Sequence, residues 1–323
     1  MTNARQWLMR LGPAAISVYT HLPLDEAFAE LAARGEPALY QLTVDTEEST
    51  SGACLVHVPT AVGRASAAWD AARAILTVRA APSEISGEAL LHQAYLLLES
   101  RLQEHGYVTL HAAAAVLGRS AVLLLGPAGA GKTTTLLRLC RDHGAMLAGN
   151  DLVVAGGPGE PIALAGSQHV RLRHASVSRA MPELLGLFPS MVGDPWREKR
   201  VFDPARLGIA AAERPAPIRL VAFVHVDVDY EELVDEPGDT LVHRLNLHEN
   251  AARYIRGAST PWLIERAYGP YVPVLDDPLL HAARSTTLQR LMQRSRYIAG
   301  PPAEVAERLA HRLSARVGRN PLV

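Results

Sequence analysis

Over the first hundred residues apolar and polar positions alternate in short runs. Beyond them, longer apolar runs are set between glycine-rich turns. Residues 24–33 carry the spacing of a short helix. Segments 39–44 and 53–58 alternate as strands do, and 63–70 followed by 74–78 predicts a hairpin. In 88–105, Leu90, Leu91, Ala94, Tyr95, Leu98 and Leu102 recur at helical intervals. Pro82-Ser83-Glu84 reads as the turn and cap before that helix. Residues 107–116 contain an alanine run that propensity alone would make helical. The turn Leu117-Gly118-Arg119-Ser120 and the apolar run 121–125 instead predict a strand and a β-hairpin. Further strands are expected at 145–148, 152–155 and 220–228, a long polar loop at 189–206, and closing helices at 279–294 and 303–315. No internal repeat is evident.

The run 121–125 leads into Gly126-Pro127-Ala128-Gly129-Ala130-Gly131-Lys132-Thr133, and a helical pattern follows. This matches G-x-x-x-x-G-K-[ST] at every fixed position, in the strand–loop–helix setting that the motif requires. Glycines let backbone N–H groups turn inward, and a helix N-terminus adds its positive dipole end. The expected nucleotide-binding set is Gly126, Ala128, Gly129, Ala130, Gly131, Lys132, Thr133 and Thr134. Lys132 would reach the β- and γ-phosphates of ATP, and Thr133 would hold Mg²⁺. A chance glycine turn before a helix is the plain alternative.

Composition narrows the setting. Lys132 and Lys199 are the only lysines among 32 basic residues, so arginine has replaced lysine almost everywhere except this loop. A compact, flexible ammonium suits a phosphate site where a planar guanidinium does not. The 323 residues suffice for two domains, and a net charge of −1 disfavours nucleic acid as a partner. Cys54 and Cys140 form neither a disulfide framework nor a zinc site. No signal peptide or membrane-spanning stretch is read, so a cytoplasmic protein is expected.

Leu110-His111-Ala112-Ala113, a turn, 121–125, the glycine-rich loop, and then Leu147-Ala148-Gly149-Asn150-Asp151 together resemble HPr kinase/phosphorylase and its HPr-kinase-like relatives. That family has a histidine before the P-loop strand and an acidic pair on the next strand. The resemblance covers roughly 105–155. It implies an α/β fold, a P-loop kinase domain of the HPr kinase/phosphoenolpyruvate carboxykinase type at 106–323; the pattern of residues 1–105 predicts a smaller N-terminal α/β domain in front of it, one that carries no motif of the family. Two departures stand out. Asn150 replaces the first acidic residue, and the glutamate-arginine-glycine signature is absent, with only Arg256-Gly257 as an echo. HPr itself is therefore not the expected substrate. Because the family has a carboxylate at that position, Asn150→Asp is expected to be tolerated.

The candidate catalytic residues are Asp151, His111 and Lys132, and the candidate metal ligands are Thr133 and Asp151. Each has a plainer reading: a core histidine for His111, an Asx-turn for Asp151. Asp227 and Asp229 end a buried strand and compete with Asp151 for the metal. Arg171 and Arg173 alternate with apolar neighbours and would share one strand face. Lys199-Arg200 beside Trp196 could cover the site. The leading expectation is an ATP-dependent kinase acting on a hydroxyl of a peptide, protein or small metabolite. The alternative is a nucleotide-dependent regulatory ATPase. The family's rings leave a homo-oligomer open.

Overall fold

Gly12, at φ 55°, turns two apolar runs back on each other and starts the first sheet. The computed structural model describes residues 4–33, 41–46, 52–61, 65–81, 83–188, 194–256 and 273–317. The chain divides into two compact units, one of Met1–Thr109 with His248–Thr287 and one of Leu110–Leu247 with Leu288–Val323. Both mix helices and sheets. The expected boundary lay near residue 105. The first unit runs slightly past it and includes a segment from far down the chain.

The first unit contains β1 (Arg5–Leu11), β2 (Ala14–Thr20), α1 (Leu24–Ala33), β3 (Thr43–Asp45), β4 (Cys54–Pro59), β5 (Ser66–Asp70), β6 (Ile75–Ala80) and α2 (Gly87–Glu104). The six strands form one sheet in the order β3-β1-β2-β4-β6-β5. The hairpin β1–β2 was not expected. Its residues Trp7, Met9, Leu11, Ile16 and Val18 are buried, so the runs lack a polar alternation. The helices fall where the spacing placed them. Helix α2 is capped by Ser86, whose hydroxyl accepts from the Ala89 N–H at 3.1 Å, and not by residues 82–84. Gly87 leaves room for α1, since a Cβ there would sit 2.9 Å from the Ala27 Cβ.

A buried polar chain runs from α2 to His248–Thr287. Glu99, fully buried, accepts from the Gln103 side chain at 2.7 Å and the Thr109 N–H at 3.1 Å, and is also bonded to the Thr109 hydroxyl. Arg284, fully buried, donates to the Gln103 side-chain Oε1 at 2.8 Å and to both oxygens of Asp276, at 3.1 and 2.9 Å. Breaking a buried ion pair by removing one partner is strongly destabilising. This network ties the distant segment into the first unit, and nothing in local spacing announces it.

After β7 (Tyr107–Leu110), the second unit contains β8 (Ala113–Leu117), β9 (Ser120–Leu125), α3 (Lys132–His143), β10 (Met146–Gly149), β11 (Val153–Gly156), β12 (Ile162–Gly166), β13 (Val170–Arg173), α4 (His174–Ala180), β14 (Lys199–Phe202), β15 (Ala216–Val226), β16 (Val234–Pro237) and β17 (Ser295–Gly300). It ends with α7 (Pro302–Val317), while α5 (Leu241–Ala252) and α6 (Pro278–Met292) straddle the unit boundaries. β15 lies parallel to both β9 and β17, and β8 joins β9 as the expected hairpin. Beyond these lie β10 on β8 and β16 on β17. Helices α3 and α7 pack on this sheet, with Leu136, Leu137, Leu139, Val305, Leu309 and Leu313 in its core.

Three expectations are corrected. The strand at 107–116 is broken at His111-Ala112, because β8 loses its partner where β9 ends at Leu125. The polar loop at 189–206 contains β14, which pairs with β13 and buries Phe202; residues 189–193 lie outside those described. Between the two closing helices lies β17, an unforeseen strand. Among the described residues, no helix is long and apolar enough to cross a membrane.

Burial pushes the Glu99 carboxyl up to about 7, against an ordinary value of 4.5. Its hydrogen-bond donors and Arg284 pull the other way and are outweighed. A carboxyl raised on folding stabilises fully below its ordinary value, and that stability is lost as pH rises through about 7. Chemical denaturation should show a loss on the order of 1–3 kcal/mol between pH 5 and 8.5. Glu99→Gln should flatten the slope; an unchanged slope would mean that another group titrates.

Candidate functional site

The glycine-rich loop takes its shape from three left-handed or mirror-region glycines, Gly126 at φ 147°, Gly129 at φ 85° and Gly131 at φ 84°. Two of them also lack space for a side chain. A Cβ on Gly126 would lie 2.8 Å from the Val224 carbonyl oxygen, and one on Gly131 would lie 2.7 Å from the Val226 Cβ. The loop is therefore seated on the end of β15, where the Val226 N–H donates to the Ala130 carbonyl at 3.0 Å. Gly131 is also the N-cap of α3, so the first N–H groups of that helix open beside Lys132 and Thr133.

These residues line an open cavity of about 210 Å³ within the second unit. Of the expected site residues, His111, Ala128, Gly129, Gly131, Lys132, Thr133, Thr134 and Asp151 all line it. Gly126 and Ala130 do not; they hold the loop through their backbones. Lys132 Nζ donates to the carbonyls of Gly126 at 2.8 Å and Pro127 at 3.0 Å. Burial pulls its ammonium below the ordinary lysine value. Lys199 pushes the same way and Asp151 opposes both.

Asp151 sits in a turn, not on a strand, at φ 66°. Asparagine and aspartate tolerate this region better than other side chains, though not without cost. The turn is clamped. The Asn150 N–H donates to the Ser167 carbonyl at 2.7 Å, and the Ser167 N–H to the Leu152 carbonyl at 3.0 Å. β10 and β12 meet backbone to backbone here, so a Cβ on Gly166 would lie 2.4 Å from the Ala148 oxygen. The sequence signal for this crossing is the pair Gly149 and Gly166, which lie too far apart in the chain to form a local motif.

Asn150 is 1% exposed and is not among the residues that line the cavity. Its Oδ1 accepts the Thr133 hydroxyl proton at 3.0 Å, and its Nδ2 lies 3.5 Å from the His169 carbonyl as donor. Thr133 thus keeps its oxygen lone pairs for a cation. Among the described residues, no group of three or more His, Cys, Asp or Glu could hold a metal. One hydroxyl and one carboxylate beside room for phosphate and water oxygens suit Mg²⁺, which rarely takes an all-protein cage.

Asp227 also lines the cavity, but Arg179 from α4 engages it at 3.1 Å and Asp229 at 2.7 Å. Arg171, Arg173 and Lys199 also line the cavity, with the half-exposed Trp196. Cys140 is a core residue, its thiol pushed up to about 12 by burial.

No family model matches this sequence, and no curated protein matches it. Among solved structures, the chain is similar to the HPr(Ser) kinase/phosphatase from Coxiella burnetii at 13% identity. That match covers 65% of this chain and 97% of the other, with a TM-score of 0.28.

Two substitutions probe the clamp. Gly166→Ala should destabilise by about 2–4 kcal/mol, because backbone atoms must separate. A denaturation midpoint within error of the parent would rule out the close approach. The surroundings of Asn150 add a stability cost to the substitution that the resemblance expects to be tolerated. Asn150→Asp would set a carboxylate oxygen against the His169 carbonyl and should cost about 1–3 kcal/mol at neutral pH. Unchanged stability would show that this amide contact is dispensable.

Proposed function

We propose that this protein is an ATP-dependent phosphotransferase of the HPr-kinase-like kind, acting on a hydroxyl acceptor. The observation that carries the reading is one cavity holding Lys132, Thr133, the α3 N-terminus and Asp151. The α3 N–H groups would take the phosphates, with Lys132 turning from the Gly126 and Pro127 carbonyls toward them. Thr133 and Asp151 would hold Mg²⁺, which when bound would neutralise charge on the phosphates.

In the proposed reaction the acceptor hydroxyl gives its proton to Asp151 or His111. Its oxygen forms a bond to the γ-phosphorus, the bond from that phosphorus to the β–γ bridging oxygen breaks, and ADP leaves. Arg179 stands at the cavity edge and would meet the developing charge after parting from Asp227. That ion pair is largely exposed, so parting it should cost little.

A second reading is a regulatory ATPase. Asn150 favours it, since its amide stands where the resembling family has a first carboxylate and makes contacts a proton acceptor would not. Transfer of label from γ-labelled ATP to an acceptor, against release of free phosphate, separates the two.

Lys132→Ala should abolish detectable ATP·Mg²⁺ binding by calorimetry while the unfolding midpoint stays near the parent's. Unchanged affinity and turnover would end the nucleotide reading. Asp151→Asn should lower turnover at least ~10²-fold, more than Asp227→Asn. The reverse order in steady-state kinetics would move the metal to the end of β15.

A further inference from the structure

Part of the cavity is lined by a two-stranded antiparallel sheet in which Arg173 pairs directly with Lys199. Arg171, two residues earlier, lies on the same face. The other face is buried, with Val170, Leu172 and Phe202 in the core, so the register is fixed and the cations cannot turn away. Like charges directly opposite across strands are destabilising. Arg173 and Lys199 have no carboxylate partner among the described residues, and the Arg173 Nε is buried without a hydrogen bond. Of the carboxylates that line the cavity, Asp227 is held by Arg179, and Asp151 acts on the Lys132 ammonium. Arg200, on the opposite face, has its own partner in Glu198.

Resting on the phosphotransferase reading, we propose that this wall is the acceptor's subsite and that the acceptor carries an anionic oxyacid group, a carboxylate or a phosphate, near its reacting hydroxyl. Guanidinium forks suit both anions, and a second cation opposite fixes their position. The arrangement holds the acceptor's charged end on β13 and β14 and presents its hydroxyl across the cavity to the nucleotide. It selects against neutral alcohols, because they would leave the two cations unanswered.

The test loads the protein with Mg²⁺ and a non-hydrolysable ATP analogue, so that the glycine-rich loop is occupied. Inorganic phosphate and malonate are then titrated separately by calorimetry. One saturable site is expected, weakened at least tenfold in Arg173→Gln/Lys199→Gln and in Arg171→Gln, and unchanged in Arg200→Gln. The tighter of the two probes names the anion. The unfolding midpoint of Lys199→Gln should rise, since the substitution relieves repulsion; a merely structural lysine would lower it. Absence of saturable binding to the loaded protein, or equal binding by parent and double variant, overturns the subsite. Failure of the ATP analogue to bind, with phosphate still held in the same variant-dependent way, would sink the nucleotide reading and leave the anion site standing.

Discussion

The seat that β15 gives the glycine-rich loop governs the second unit. Val224 and Val226 approach the loop so closely that only glycine fits at 126 and 131. That contact fixes where the chain leaves β9 and where α3 begins. The direction of α3 then follows, and with it the place where Lys132 and Thr133 emerge. β15 can serve as the seat because it is held on both sides, parallel to β9 and to β17. A central, doubly paired strand is stiff, so the loop rests on the least yielding part of the sheet. The positive φ values at the three glycines are conformations that L side chains rarely adopt, and packing against β15 holds them.

A second backbone contact does for Asp151 what the seat does for Lys132. At Gly149 and Gly166 two strands touch without side chains between them, which turns the chain sharply and leaves Asp151 in a left-handed conformation. Asn150 then links the two constraints through its bond to Thr133. The adjacent residues divide the work. Asn150 is structural and buried, whereas Asp151 is half-buried and faces the cavity. An amide serves the first position because it must accept from a hydroxyl on one side and donate to a carbonyl on the other. A carboxylate does only the former.

The parts of this arrangement legible in sequence are those set by short-range pattern. The strand–loop–helix at 121–140, the hairpin before it, α1 and α2 follow from periodicity and from glycine placement. What escaped has a common physical cause. β1, β2 and β17 are strands whose alternation is erased, β1 and β2 by burial and β17 by its mixed residues. β14 was hidden because a charged strand with one buried face reads as a loop: KRVF shows its purpose only once Phe202 is seen in the core. The Glu99–Gln103–Arg284–Asp276 network joins residues far apart along the chain, and no local window contains both ends. The apolar neighbours of His111 predict a strand there, but strand continuity depends on a partner that ends at Leu125.

The electrostatics of the cavity give the separate pieces one meaning. Lys132 is desolvated, and burial acts against its charge. A protein stabilised only for its own sake would relieve that cost by spacing its other cations away. Here Lys199 is near enough to push the Lys132 ammonium further in the same direction, and Arg173 is paired with Lys199 across the strands. Of the two carboxylates lining the cavity, Asp227 is bound to Arg179. Positive charge has therefore been concentrated from two walls that are fixed independently, one by the β15 seat and the other by the buried face of β13 and β14. Neither wall can retreat without disturbing the core behind it. Such an unrelaxed field has a low reorganisation cost when anions enter, since the cations are already aimed and need not be gathered. The rigidity of the two walls and the cations they carry are thus one feature, and under the proposed reading that feature is a site held ready for negative charge by the packing beneath it.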